Sequence, residues 1–180
     1  MEEEKRALVV TDLEPDDMCV LLWLAKEGYT CDVVVGHGDV NKKAQWMQAL
    51  KESVEEMADW TIHPGVATPD MDGYPTPPAT KQTIDIGLFD PKRFEALVRT
   101  HADIISIKPH LEFLMLPQNT RFPGRNFYAT MSFNLRATVE FTHGKDAPKE
   151  AIEENARRLI KMFPSFFVWI ESFPALVQSV

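Results

Sequence analysis

The sequence predicts an α/β fold in which a doubly wound, mainly parallel sheet carries helices on both faces. Short apolar segments typical of buried strands recur along the 180 residues, and segments with helical spacing of apolar residues separate most of them. Such regular alternation is typical of parallel strands joined by crossover helices. We therefore expect one domain, residues 1–180.

The predicted strands share a largely apolar composition and lie at Ala7–Val10, Asp32–Gly36, Trp60–His63, Asp103–Ile107, Asn126–Met131 and Phe166–Glu171. The predicted helices share apolar residues three or four positions apart and lie at Asp16–Glu27, Asn41–Asp59, Pro91–His101, His110–Leu116 and Pro148–Met162. The stretch from His63 to Phe89 holds five prolines, which predicts an irregular loop near the carboxyl edge of the sheet, suited to serve as a lid. Trp23, Trp46, Trp60 and Trp169 are predicted to lie in the core.

Composition and charge argue against several classes of partner. The net charge of -8 disfavours nonspecific binding to nucleic acid or to an anionic membrane surface. No apolar run is long enough to span a bilayer, and the acidic N-terminus lacks the apolar centre of a signal peptide. The two cysteines, Cys19 and Cys31, have no CxxC spacing. These features predict a protein of a reducing, cytoplasmic compartment.

The chain is organised around an acidic turn. Four carboxylates, those of Asp12, Glu14, Asp16 and Asp17, follow the first apolar strand directly. Like charges this close require water, protonation or a cation between them. A solvated surface turn is one interpretation. A binding site is the other, because ligands of open α/β sheets bind at the carboxyl ends of the strands. Pro15 suits the first helical turn, which Asp12 or Glu14 would cap.

Four segments, in order, resemble the inosine-uridine-type nucleoside hydrolases. Val10–Asp17, reading VTDLEPDD, resembles the DxDPGxDDA signature of that family. Asp32–Val40 is similar to its second strand and Gly-Asn-Val turn, and Trp60–Gly65 to its third strand. Ala102–Leu114 is similar to the family segment that contains a Gly-Pro-Leu-Thr-Asn turn. The resemblance implies the family's α/β fold.

The resemblance also implies an activity, the Ca²⁺-dependent hydrolysis of the N-glycosidic bond of a nucleoside or other ribosyl compound. Asp12 matches the residue that contacts Ca²⁺ and acts as the base toward water, and Asp17 matches a second Ca²⁺ ligand. Asp16 and Asp39 match ribose-binding positions. Lys108 lies near the position whose backbone carbonyl binds the metal. The chemistry is consistent, since carboxylates stabilise an oxocarbenium-like transition state.

Asn134 follows the strand predicted at Asn126–Met131 and is a further candidate for substrate contact. The apolar tail Phe166–Val180 offers a surface on which a second copy would form a homo-oligomer.

Several departures from the family pattern support a second hypothesis. Val10 and Glu14 replace the first Asp and the Gly of the signature, and Asp39 replaces an Asn. The family's late Asp and His have no counterpart, because the last aspartate is Asp146. In this alternative the Lys108 ammonium takes the place of the metal. The chain is then a catalytically inactive binding or structural module. A Mg²⁺ phosphohydrolase is disfavoured because no phosphate-binding loop is evident.

The histidines allow more than one role. His37, beside the second strand exit, is either a site acid or a histidine hydrogen-bonded within a turn. His110 either lines the pocket or caps a helix. His63, His101 and His143 are predicted to lie on the surface or in loops.

Overall fold

The computed structural model of the protein describes residues 4–69, 73–106, 111–117, 122 and 124–129. The strands are β1 (Arg6–Thr11), β2 (Thr30–Val35), β3 (Thr61–Pro64), β4 (Asp103–Ser106) and β5 (Asn126–Ala129). The helices are α1 (Pro15–Lys26), α2 (Val40–Ser53), α3 (Pro91–Thr100) and α4 (Leu111–Leu114), with a 3-10 turn at Glu55–Met57.

The strands form one parallel sheet in the order β3-β2-β1-β4-β5. The chain builds outward from β1 to β3, then returns to the other side of β1 for β4 and β5. Thr11 pairs with Val35 of β2, and Val10 pairs with Ser106 of β4. The order therefore reverses between β1 and β4. A crevice opens at the carboxyl edge of a parallel sheet at such a point.

Alternation along β1 divides the core between the two faces of the sheet. Ala7 and Val9 pack in the larger cluster, which contains the buried residues of α1 and α2. Leu8 and Val10 pack on the other face with Phe94 and Val98 of α3. Helices therefore cover both faces, which confirms the predicted α/β architecture.

The predicted elements occur with shifted ends. The helix predicted at Asn41–Asp59 ends at Ser53, because Val54 adopts an extended backbone and is followed by the 3-10 turn. Pro15 begins α1 as predicted, but Glu14, the residue before it, makes no capping bond through its side chain. The elements predicted at Pro148–Met162 and Phe166–Glu171 lie outside the described residues.

The predicted core positions of three tryptophans are confirmed: Trp23, Trp46 and Trp60 are all buried, whereas Trp169 lies outside the described residues. Cys19 and Cys31 are buried free thiols. Across the described ranges, none of the helices combines the length and the apolarity required to cross a bilayer.

Candidate functional site

The turn after β1 is built around the buried carboxylate of Asp17. Its Oδ2 accepts a hydrogen bond from the Thr11 hydroxyl at 2.5 Å and from the Asp12 backbone N–H at 3.2 Å. The same hydroxyl oxygen accepts the Leu13 N–H at 2.9 Å. Asp17, reaching back from the first turn of α1, therefore fixes the path of the chain through Asp12. This structural role comes in addition to any contact with a ligand.

Asp12 directly follows β1 and is buried, with 7% of its surface exposed. The next residue, Leu13, adopts a left-handed backbone with φ 55°, which costs energy for a bulky side chain. Its carbonyl accepts a hydrogen bond from the Tyr74 hydroxyl. The proline-rich loop between β3 and α3, to which Tyr74 belongs, therefore returns to hold this turn closed.

Tyr74 lies among carboxylates. Burial raises its pKa well above the usual phenol value, and the negative charges of Asp12, Asp17 and Glu14 raise it further. The phenol therefore stays neutral and remains a hydrogen-bond donor to Leu13 at any physiological pH. The three charges that act on one buried hydroxyl show that these carboxylates face a common region of the sheet edge.

Helix α2 anchors the same loop. The Lys42 ammonium donates to the Tyr74 carbonyl at 3.1 Å, and the Trp46 indole N–H donates to the Pro75 carbonyl at 2.7 Å. The buried Lys43 places its Nζ 4.9 Å from the centre of the Tyr74 ring. Tyr74 thus has a buried cation on its ring and carboxylates near its hydroxyl, so part of the acidic charge of the site is balanced by the protein itself.

A further buried carboxyl group, that of Glu112 in α4, lies at the same edge. Its Oε1 accepts the Val66 backbone N–H at 2.6 Å. A Cβ atom added to Gly36 or Gly65 would fall well within contact distance of that oxygen. The glycines that follow β2 and β3 therefore form the cradle that admits the Glu112 side chain.

The environment of Glu112 favours its neutral form. Burial raises its pKa, and the negative charge of Asp12 raises it further. The hydrogen bond from Val66 and the nearby charge of His37 act in the opposite direction without cancelling the shift. Glu112 is therefore within electrostatic reach of both Asp12 and His37.

His37 lies on the exposed side of this group. Its backbone is left-handed, with φ 64°, and its N–H donates to the Val66 carbonyl at 2.7 Å. Its ring Nδ1 lies 3.2 Å from Oγ1 of Thr68, which also accepts the Gly38 N–H at 2.7 Å. The hydrogen-bonded turn anticipated from the sequence is present, and it leaves Nε2 of the exposed ring on the side away from Thr68.

Asp39 caps helix α2, because its Oδ1 accepts the Lys42 N–H at 3.0 Å. One oxygen of this predicted ribose-binding carboxylate is therefore used within the fold. The side chain of Asp16 and all of Lys108, His110 and Asn134 lie outside the described residues.

The described residues do not fit the predicted calcium site. Calcium binds six to eight oxygen ligands, including carboxylates, in protein sites. Within the ranges that the structure describes, no group of three or more His, Cys, Asp or Glu side chains is arranged to hold a metal ion. Asp12 and Asp17 are both buried at the expected edge, but one oxygen of Asp17 is already used to close the turn.

A second charged cluster lies nearer the amino ends of the strands, and it corrects two predictions. His63 and His101, predicted on the surface or in loops, are buried. The Nε2 atoms of His63 and His101 lie 2.6 Å and 2.9 Å from the two carboxylate oxygens of Asp32. The guanidinium of Arg6 lies 3.7 Å from the same carboxylate. The two imidazoles are buried because a shared carboxylate replaces their contacts with water. These four residues are called the Asp32 cluster.

The Asp32 cluster borders a cavity of about 500 Å³, whose lining includes Arg6, Asp32, His101 and Asp103. Nδ1 of His101 lies 2.8 Å from the carbonyl of Leu97. Both neighbours of the His101 ring are acceptors, so the ring must carry two protons to bond to both. In the charged form, which the hydrogen bond to Asp32 favours by raising the pKa, His101 joins the end of α3 to the sheet through both ring nitrogens.

Sequence reasoning missed Tyr74, Lys43 and Glu112. Glu112 had a usable signal, because it follows β4 in the chain as Asp12 follows β1, and both exits meet at one sheet edge. Tyr74 and Lys43 had none, since their positions depend on how a long loop folds back onto α2.

Comparison of the chain with protein-family models, curated proteins and solved structures finds no match.

Proposed function

We propose that the protein hydrolyses an N-ribosyl bond, with Asp12 as the base that activates water. The observation that supports this proposal is the collection of buried carboxyl groups, Asp12, Asp17 and Glu112, at the carboxyl edge beside the reversal in strand order. The resemblance of the Val10–Asp17 segment to nucleoside hydrolases agrees with it in position and in chemistry.

The chemistry follows from charge. Cleavage of an N-glycosidic bond develops positive charge on the sugar, and fixed carboxylates near the sugar stabilise that charge more in the transition state than in the ground state. Asp12, held in place through its backbone by Asp17, accepts the proton of the attacking water. The carboxylates also bind the ribose hydroxyls as acceptors. The substrate class is a nucleoside or a related ribosyl compound.

A second candidate is a catalytically inactive binding module of the same fold. Two observations favour it: Asp17 and Asp39 each use an oxygen to stabilise local structure, and Lys43 brings a buried cation to the same region. In this alternative, lysine ammonium groups of the protein take the place of the metal, and Lys108 is the lysine that the sequence predicts for it. Such a module would bind ribosyl compounds without cleaving them.

Release of free ribose from a panel of nucleosides tests the proposal. Asp12→Asn preserves the shape of the side chain but removes the base, so we expect the rate to fall by about 10²–10⁴. Asp59→Asn, at an exposed position, is the matched control and should leave the rate unchanged. Binding of nucleosides without ribose release by the wild-type protein would support the module and refute the hydrolase.

Calcium dependence is measured in the same preparation. If the site binds Ca²⁺ with the help of residues beyond the described ranges, the ion should raise the melting temperature, and Asp17→Asn should abolish that rise. If ribose is still released in the presence of a chelator, and Ca²⁺ does not change the melting temperature, the protein's own lysines balance the charge of the carboxylates.

A further inference from the structure

We propose that His37 is the acid that protonates the departing base, a role that rests on the N-ribosyl hydrolysis proposed above. Nitrogen bases are poor leaving groups unless they gain a proton as the bond breaks. Hydrolysis therefore needs a donor on the side of the sugar away from the water.

A backbone hydrogen bond where β1 and β2 end brings His37 close to Asp12 in the fold. The Gly36 N–H donates to the Thr11 carbonyl at 2.9 Å, so the exits of β2 and β1 lie side by side. His37 and Asp12 each directly follow one member of this hydrogen-bonded pair. Neighbouring strands are about 4.8 Å apart, and acids and bases that act on opposite sides of a sugar are about 6.5–9.5 Å apart. Side chains from adjacent strand exits reach this range.

Thr68 sets the protonation pattern of the His37 ring. A hydroxyl oxygen has two lone pairs, and Oγ1 of Thr68 accepts the Gly38 N–H with one of them. Nδ1 of His37 lies 3.2 Å from the same oxygen, and in the charged ring it carries a proton that it donates to the other lone pair. In the charged ring, Nε2 then carries the transferable proton. After transfer, the neutral ring keeps its Nδ1 proton on Thr68, so the ring does not need to turn.

The buried Glu112 lies behind this pair. The charges of His37 and Asp12 both act on the Glu112 carboxyl group, in opposite directions. The Val66 backbone joins them physically, since its N–H bonds Glu112 and its carbonyl accepts the His37 N–H. The ring of His37 itself is on an exposed residue, as an acid that must meet a ligand requires.

The proposed step balances. Water adds its oxygen to the anomeric carbon and gives one proton to Asp12, and the bond between that carbon and the base nitrogen breaks. The electron pair of that bond stays with the nitrogen, which takes the Nε2 proton of His37. Asp12 then releases its proton to solvent, and His37 takes one from solvent. The products are ribose and the neutral base.

Two substrates separate this role from a structural one. 4-Nitrophenyl riboside releases a phenolate that needs no proton, whereas a nucleoside requires the acid. Asn tolerates the left-handed backbone at position 37, so His37→Asn removes the acid and keeps the turn. We expect it to lower kcat/KM for nucleosides by about 10²–10⁴ and to leave that for the nitrophenyl compound nearly unchanged.

Thr68 supplies the matched pair. Thr68→Val removes the acceptor of the Nδ1 proton and should lower nucleoside hydrolysis selectively, whereas Thr68→Ser restores the hydroxyl and should restore the rate. If His37→Asn lowered kcat/KM equally for both substrates, or lowered neither, the assignment of His37 as the acid would be overturned while the proposed hydrolysis would stand. A wild-type protein that cleaves neither substrate would overturn the proposed function, and this assignment with it.

Discussion

Replacement of Asp32 by asparagine tests how much the charged hydrogen bonds of the Asp32 cluster stabilise the fold. The carboxylate accepts hydrogen bonds from two buried imidazoles, those of His63 and His101, on different elements. Hydrogen bonds that involve a charged group contribute about 1.5–3 kcal/mol each. Asparagine keeps one acceptor oxygen but presents an NH₂ group to the other imidazole. We therefore expect Asp32→Asn to lower the free energy of unfolding by about 3 kcal/mol.

The loss should depend on pH. The hydrogen bonds from His101 and then His63 lower the pKa of Asp32, so its stabilisation is present above about pH 3.9 and is lost at lower pH. The hydrogen bond to Asp32 raises the pKa of His101. That stabilisation is complete below about pH 6.5 and is lost as the pH rises through the raised pKa. The nearby charge of Arg6 opposes the protonation of His101, without reversing the shift.

Urea unfolding followed by tryptophan fluorescence, at about pH 5.5 and about pH 8.5, measures both effects. The difference between Asp32→Asn and the wild type should be larger at the lower pH, where His101 is charged. Asp59→Asn serves as the control for the removal of an exposed charge. A loss below about 1 kcal/mol at the lower pH, or the same loss at both pH values, would refute the charged arrangement.

Three further substitutions test the carboxyl edge. Glu112→Gln keeps the acceptor for Val66 and removes the charge. Because the raised pKa of Glu112 makes the wild type lose stability as pH rises above about 4.3, the variant should match it at acid pH and exceed it near pH 8 in urea titrations. Tyr74→Phe leaves the Leu13 carbonyl without its donor and should cost about 1–3 kcal/mol in the same assay. Gly65→Ala should lower the free energy of unfolding by about 1–3 kcal/mol, because the new Cβ would collide with the Glu112 carboxyl group and the backbone of Gly36.

The architecture was predictable because each element is determined largely by residues close together in the sequence. Each buried strand and each amphipathic helix carries its own pattern of apolar residues, and their alternation decides the fold class. The end of α2 was less predictable. Met57 continues the helical spacing of apolar residues but lies in the 3-10 turn after Ser53, so the same buried contact is made with a different backbone.

Whether a charged residue could be placed from the sequence depended on how near its partners lie in the chain. The turn that holds Asp12 was predictable, since Thr11 and Asp17 are close neighbours. His63 and His101 were misjudged because their partner, Asp32, comes from a different strand. A histidine near a predicted loop resembles a surface residue until the sheet order is known. Buried ionisable groups are normally paired, but this rule could place the two histidines only once the strand order was known.

The proline-rich loop, which the sequence predicted to be suited as a lid, holds the turns that follow β1 and β2. Leu13 and His37, each the second residue after its strand, both adopt left-handed backbones without being glycine. Such conformations cost of order 1–3 kcal/mol each and persist where the surroundings hold them. Each is held by a backbone or side-chain bond from this loop, from Tyr74 to the Leu13 carbonyl and from the His37 N–H to Val66. The loop is therefore part of the frame that sets the proposed base and the proposed acid, and the geometry of the site depends on contacts across more than 25 residues of sequence.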